Sequence, residues 1–418
     1  MTIAEFQVAA SKGQGRAIQE LRDGEVHPSF RVLRRLVFRW PGHDWQCETS
    51  RGWYVAELIR LSSCPDELFD ALIHQLPRTK GARRHRHHRE SAAFELAKRG
   101  VGPAKKAIYS HFDPANDFRF ADHILDLDGL DGLDWIVSRS VDQFSAKEVW
   151  QFKLWITDFR ESLGEQVVAD WFAEKAPNRP DIAELSRLVA AEDPETRAAR
   201  PKRDASIPFE EFYDQWHQGA SARPSAVMWV HWATQEELAK AWRSFEEAHE
   251  PDWLGVLARG LSRIVDLVDI DKLVVRALEW KAERNPFVIV LERVIDPRVR
   301  LLGFELIAAG WTVDGIALFG NNGLVEDVPF LLNVVRSLED ADHLHFVGMD
   351  LLRLPTEPGF APIFEWIAEM TPCSLCRNSA VRDLIEINAA SDALLKECLF
   401  DCDEDTRDMA AKALGSLQ

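Results

Sequence analysis

Apolar residues recur at three- and four-residue intervals through most of this chain, and Gly, Pro or Asp breaks the pattern about every 10 to 15 residues. That spacing is the mark of helices with one buried face, and strict strand alternation is rare. Near the C-terminus, Met409, Ala410, Ala413, Leu414 and Leu417 share one helical face. Val381, Leu384 and Ile385 mark a second, and Leu394, Leu395, Cys398 and Leu399 mark a third. The short break at Asn388 to Ser391 between the last two predicts an antiparallel hairpin.

The same form recurs upstream. Residues 52–64 lead into 65–76, residues 89–100 into 101–112, and residues 119–129 into 130–141, each as helix, turn and helix. Their starts lie roughly 30 to 40 residues apart. A helix pair of this size cannot bury its own apolar face, so it must stack on a neighbouring pair. An all-α chain with at least roughly 55% helix and almost no sheet is expected.

Three segments resemble the second-helix signature of HEAT repeats. The clearest is 296–310, DPRVRLLGFELIAAG, with a capping Asp, a Pro, a Val-Arg pair and small apolar residues. Residues 403–417 are similar, and 378–387 follow with Asn378 in the place of the Asp. Asp193 begins the same pattern, but Pro201 and the charged residues after it cut it short. The resemblance implies an alpha-alpha superhelix, a HEAT-like solenoid. Independently of it, Asp296 and Asp403 suit helix-start caps, and Pro297 suits the first turn. Arg300 and Arg407 are expected to reach acidic side chains of an adjacent repeat as a structural ladder.

The middle of the chain differs. Trp150, Trp155, Trp171, Trp216, Trp229, Trp232 and Trp242 fall there, beside a polar, Pro-containing stretch over 177–208 that reads as a linker or long loop. Three regions are therefore expected: 1–140 as N-terminal repeats, 141–250 as a divergent Trp-rich helical region or insertion, and 251–418 as C-terminal repeats. The fifteen Trp read as anchors between helix layers.

Charge narrows the function classes. Sixty-eight Asp and Glu against 50 Lys and Arg give −18 in 418 residues, which disfavours a general nucleic-acid coat. Against that background, Arg78, Lys80, Arg83, Arg84, Arg86 and Arg89 form an uninterrupted positive run with His85, His87 and His88 inside it. The run is expected to be exposed and to meet an anionic or acidic partner, with a solvated inter-repeat loop as the plain alternative. Those cations oppose a metal ion at the three His, so no metal is expected there.

Cys373 and Cys376 lie close in sequence, as do Cys398 and Cys402, and the expected hairpin would let the two pairs approach as a four-thiolate zinc site. Cys398 also fits an apolar helix face, so packing is the more economical explanation, and neither zinc nor any other cofactor is expected. Cys47 and Cys64 stand alone. Asp126, Asp128, Asp131 and Asp134 lack the closing Glu of a calcium loop, and the Leu residues between them suit packing. His343 and His345 beside Asp342 are unspecific, and the Gly-containing run 319–324 reads as a loop.

No phosphate loop, nucleophile elbow or zinc-protease helix is present in the sequence. The chain therefore reads as a non-catalytic interaction or scaffold protein that binds a protein or peptide through a solenoid groove. The alternative is a nucleic-acid-binding, DNA-alkylation-repair-like HEAT protein, onto which no functional residue maps. With no apolar run long enough to span a bilayer and no secretory pattern at the N-terminus, a cytoplasmic location without membrane partners is expected.

Overall fold

A computed structural model describes residues 1–39, 51–76, 83–115, 118–140, 146–190, 207–218, 225–265, 269–282 and 284–416. The described residues are 76% helical and contain no strand beyond an isolated bridge between Asp113 and Arg119. No described helix is long and apolar enough to cross a membrane.

The described residues divide into two units. One takes 1–39, 51–190 and Phe400–Cys402, and the other takes 207–399 and 403–416. In the first unit the helices Gly52–Leu61 and Pro65–Gln75 occupy the first expected pair, and Arg83–Lys98 and Gly102–Ser110 the second. The third pair lies within Ala121–Ser140, which breaks at Gly129, where φ is 57° and ψ is −129°. That left-handed backbone suits Gly. A Cβ at Gly132 would sit 2.7 Å from the Ile124 carbonyl oxygen, so the segments on either side of the break lie against each other.

The stretch 177–208 is not all linker. Pro180–Ala190 is a helix whose Ile182 and Leu185 are buried, and the remainder from 191 to 206 lies outside the described residues. Most described Trp are anchors, with Trp155, Trp171, Trp229, Trp242, Trp253 and Trp366 in the cores, whereas Trp150 and Trp232 are exposed.

In the second unit the caps follow the expected chemistry. Asp296 accepts from the Arg298 N–H at 2.8 Å ahead of the helix Pro297–Ala308. Asp403 accepts from the Thr406 N–H at 2.9 Å at the head of Glu404–Ser416. Asn378 does not cap. Its helix already begins at Ser374, and its amide donates to Asp403 at 3.1 Å and to the Thr406 hydroxyl at 2.9 Å. The run 319–324 is a loop, and its Asn322 accepts from the Asp296 N–H at 2.8 Å while donating to the Val294 carbonyl at 2.9 Å.

Polar links of similar separation, 26 to 28 positions, recur along this unit. Phe209 meets Glu237 across 28 positions, Lys272 meets Glu246 across 26, and Arg298 meets Asp271 across 27. Arg300 meets Asp327 across 27, Asn322 meets Val294 across 28, and Asn378 meets Thr406 across 28. Polar groups thus link segments 26 to 28 positions apart at several places in this unit. Beneath them lie two apolar cores, one drawn from residues 209–318 and one from residues 316–410.

Candidate functional site

The helices Phe209–His217, Gln235–Glu247 and Pro251–Leu261 border a shallow, open cleft of about 600 Å³. Thr234 caps the second of them by accepting from the Glu237 N–H at 3.3 Å. Glu237 in turn accepts from the Phe209 N–H at 2.5 Å, which pins the start of the first helix. Phe209, Tyr213 and Trp253 supply the aromatic part of the lining. Tyr213 and Trp253 meet edge to face, with centroids 5.1 Å apart, a favourable arrangement of ring quadrupoles.

The polar lining carries four carboxylates, Glu210, Asp214, Glu247 and Glu250, against Lys240 and Arg243. Lys240 is engaged by Glu210 at 3.2 Å and Glu237 at 2.9 Å. Glu250 lies 3.1 Å from His217 Nε2, while Nδ1 of that ring lies 2.9 Å from the Tyr213 carbonyl oxygen. Burial pulls the His217 pKa down, but the bonds to Tyr213 and Glu250 outweigh it, so the ring titrates above its ordinary value. Asp214 and Glu247 line the cleft without a short ion pair among the described residues, Asp214 acting on His217 and Glu247 on Lys272 only through space.

A second cluster lies where helices Ala341–Leu351, Ala361–Met370 and Ser374–Glu386 meet. Asp340 caps the first by accepting from the N–H groups of Asp342 and His343 at 2.9 and 3.0 Å. This cap starts a helix whose inward face carries Leu344, His345, Val347 and Gly348. A Cβ at Gly348 would stand 3.7 Å from the Thr371 hydroxyl, so the helix passes directly over the turn that leads into Cys373. Cys373 sits at the N-cap of Ser374–Glu386, and its N–H donates to Thr371 Oγ1 at 3.3 Å.

His345, Cys373 and Cys376 are all buried, and one donor atom from each lies within 4.8 Å of the others. Cys376 Sγ stands 3.7 Å from His345 Nδ1. The hydrogen bond with Cys376 is the main influence on the Cys373 thiol and, with the contribution of His345, it outweighs burial and holds the pKa well below the usual thiol range. The amide dipoles at a helix start favour the thiolate in the same sense. Cys398 does not join the three; it is buried in the same apolar core, with Leu395 and Ala410. Cys402 falls in the other unit, where its N–H donates to the Gly13 carbonyl at 2.9 Å. The sequence signal for Cys373 and Cys376 was their spacing. His345 had no such signal, since a histidine on a buried helix face reads as packing.

The basic run differs from expectation. Arg78 and Lys80 lie outside the described residues, as do the side chains of Arg83 and Arg84. From Arg83 the backbone is helix rather than loop. Arg86 is half-buried, 3.9 Å from Glu90 on the same helix. Arg89 is only 8% exposed, and His88 is fully buried with Nε2 3.3 Å from the Leu36 carbonyl oxygen. The apolar face of Arg83–Lys98, with Ala92, Ala93, Leu96 and Ala97, requires this. Residues 88 and 89 lie one turn before that face and turn inward with it.

Two of the four Asp in the acidic cluster of the first unit are engaged by protein side chains. Asp128 is held by Lys105 and Tyr109, and Asp134 by Arg179 and Lys175. Among the described residues, the His345 group is the one set of three or more His, Cys, Asp or Glu donors close enough to share an ion. No protein-family model matches this chain, and neither a curated protein nor a solved structure matches it.

Proposed function

We propose that this is a non-catalytic binding protein of HEAT-like helical repeats that takes a basic peptide segment of a partner into the cleft of the second unit. The observation that carries the reading is the cleft itself, where aromatic faces stand beside an excess of carboxylates. A Lys or Arg of the peptide lays its aliphatic stem along Tyr213 while its charged head pairs with Asp214 or Glu247. The volume suits one or two side chains rather than a folded domain. The recurring polar links across 26 to 28 positions support the repeat reading, and the acidic excess of the chain steers a cationic partner toward it.

The test is fluorescence anisotropy with labelled Arg- and Lys-rich peptides, Glu-rich peptides of the same length, and duplex DNA. The basic peptides should bind, and more weakly as salt rises. The Asp214→Asn, Glu247→Gln double variant should weaken that binding by about tenfold or more, a loss on the order of 1.4 kcal/mol. Asp408→Asn, on a distant helix, should bind as the unaltered protein does. Binding of DNA or the acidic peptide in preference, or an unchanged affinity in the double variant, would sink the reading.

A further inference from the structure

We propose that His345, Cys373 and Cys376 form a metal site for a thiophilic divalent cation of the zinc class, bound through His345 Nδ1 and two thiolates. It goes beyond the peptide cleft, and neither reading depends on the other.

The geometry comes first. Zinc holds thiolate sulfur at about 2.3 Å and imidazole nitrogen at about 2.0–2.1 Å, and a tetrahedral angle between such bonds separates the two donors by roughly 3.6 Å. The 3.7 Å between Cys376 Sγ and His345 Nδ1 meets that spacing without movement of either helix. The sulfur of Cys373 completes a triangle of donors within 4.8 Å.

Charge supports the same assignment. Two thiolates in an apolar interior are costly, and a dication neutralises both while an uncharged imidazole adds nothing to the balance. Both Cys lie at the start of a 13-residue helix, where the aligned amide dipoles favour negative sulfur. Nitrogen and sulfur donors select zinc over magnesium or calcium, which take oxygen. Among the described residues no fourth His, Cys, Asp or Glu joins the three, so water or a small anion completes the tetrahedron.

The site has a structural consequence. His345 comes from Ala341–Leu351, and the two Cys come from the start of Ser374–Glu386, 28 positions and more along the chain. A metal there ties one helix pair to the next, in the place where Arg300 and Asp327 form an ion pair in the preceding part of the same unit. Cys398 is a packing residue in this scheme, so the ligand set differs from a pairing of the four C-terminal Cys.

The experiment uses the full chain, purified with reductant and zinc present and then freed of loose metal by gel filtration. Elemental analysis should find about one zinc per chain. Cys373→Ser and Cys376→Ser should each lose it, and Cys398→Ser should keep it. His345→Ala should weaken zinc by more than the roughly 10–100-fold loss that outer-shell changes produce. Cobalt replacing zinc in the unaltered protein should show thiolate charge-transfer bands and intense tetrahedral d–d bands, a readout that does not depend on any variant folding. Absence of zinc and of those bands with the thiols reduced would overturn the proposal. So would zinc retained in Cys373→Ser, zinc lost in Cys398→Ser, or a Cys373–Cys376 disulfide whose reduction does not restore metal uptake.

Discussion

Arg300 grips both carboxylate oxygens of Asp327, a residue 27 positions away and only 3% exposed. The Nε of Arg300 donates to Oδ2 at 2.8 Å, and that same oxygen accepts the Leu324 N–H at 2.9 Å. One acidic side chain thus serves both its own turn and the helix pair before it. The planar guanidinium matches the carboxylate in two parallel bonds, which a Lys could not do.

Removing the cation leaves a buried charge. Arg300→Met should therefore destabilise the protein by about 2–4 kcal/mol, somewhat less than the roughly 3–5 kcal/mol for breaking a fully buried pair, because Arg300 is partly exposed. The double variant Arg300→Met, Asp327→Asn should cost less than the sum of its single changes, because its second change removes the stranded charge. Urea denaturation of the four proteins gives the cycle, and strict additivity would show that the pair is screened.

Two glycines let helices meet at backbone distance. A Cβ at Gly315 would stand 2.7 Å from the Gly303 carbonyl oxygen, and one at Gly303 would stand 3.0 Å from that of Gly315. Helix propensity favours Ala over Gly by up to about 1 kcal/mol. The clash is with backbone and cannot be relieved by a side-chain rotation, so Gly315→Ala should instead destabilise by about 1–3 kcal/mol. Gly255→Ala, where nothing lies within 4 Å of the added methyl, should be neutral or stabilising. Thermal melts of the two variants distinguish space from propensity, and equal shifts would contradict the close crossing.

His123 makes stability depend on acidity. It stacks on Phe94 with centroids 4.7 Å apart, and burial, with a smaller contribution from His87 against Asp122, pulls its pKa down to about 4. Above the ordinary His value of about 6.5 the ring is neutral whether the chain is folded or not. As pH falls from there to about 4, the unfolded chain takes up a proton that the folded one refuses, and stability falls. The full effect is on the order of 3 kcal/mol. His123→Phe should flatten this part of the profile, measured as urea midpoints at several pH values. A variant with the parent's slope would assign the acid sensitivity elsewhere.

Local chemistry was legible along the chain. Asp296 and Asp403 cap helices because a short acidic side chain reaches the first free N–H groups, whatever surrounds it. Asn388 breaks a helix with φ at 57°, which Asn tolerates better than most residues. The ladder role of Arg300 was legible in kind, since a long cation beside a helix start needs an acid, although nothing in the spacing named Asp327. Reading Asn378 as a cap failed because its helix begins a turn earlier, at Ser374. In the segment 177–208, charge and Pro concealed Pro180–Ala190, whose buried face needs only Ile182 and Leu185.

What the sequence determined by itself is therefore the helical class, its caps and its breaks, because these depend on contacts within one or two turns. Which helix face meets which was decided only by tertiary packing. Arg89 and His88 look like members of a solvated cationic run until Ala92, Ala93 and Leu96 draw their helix inward. His345 looks like an ordinary buried histidine until Gly348 carries its helix across Thr371 and sets the imidazole against Cys376. The aromatic cleft likewise needs three helices in one arrangement. Periodicity records that a side chain is buried; only the crossing of helices nearly 30 residues apart determines what it is buried against.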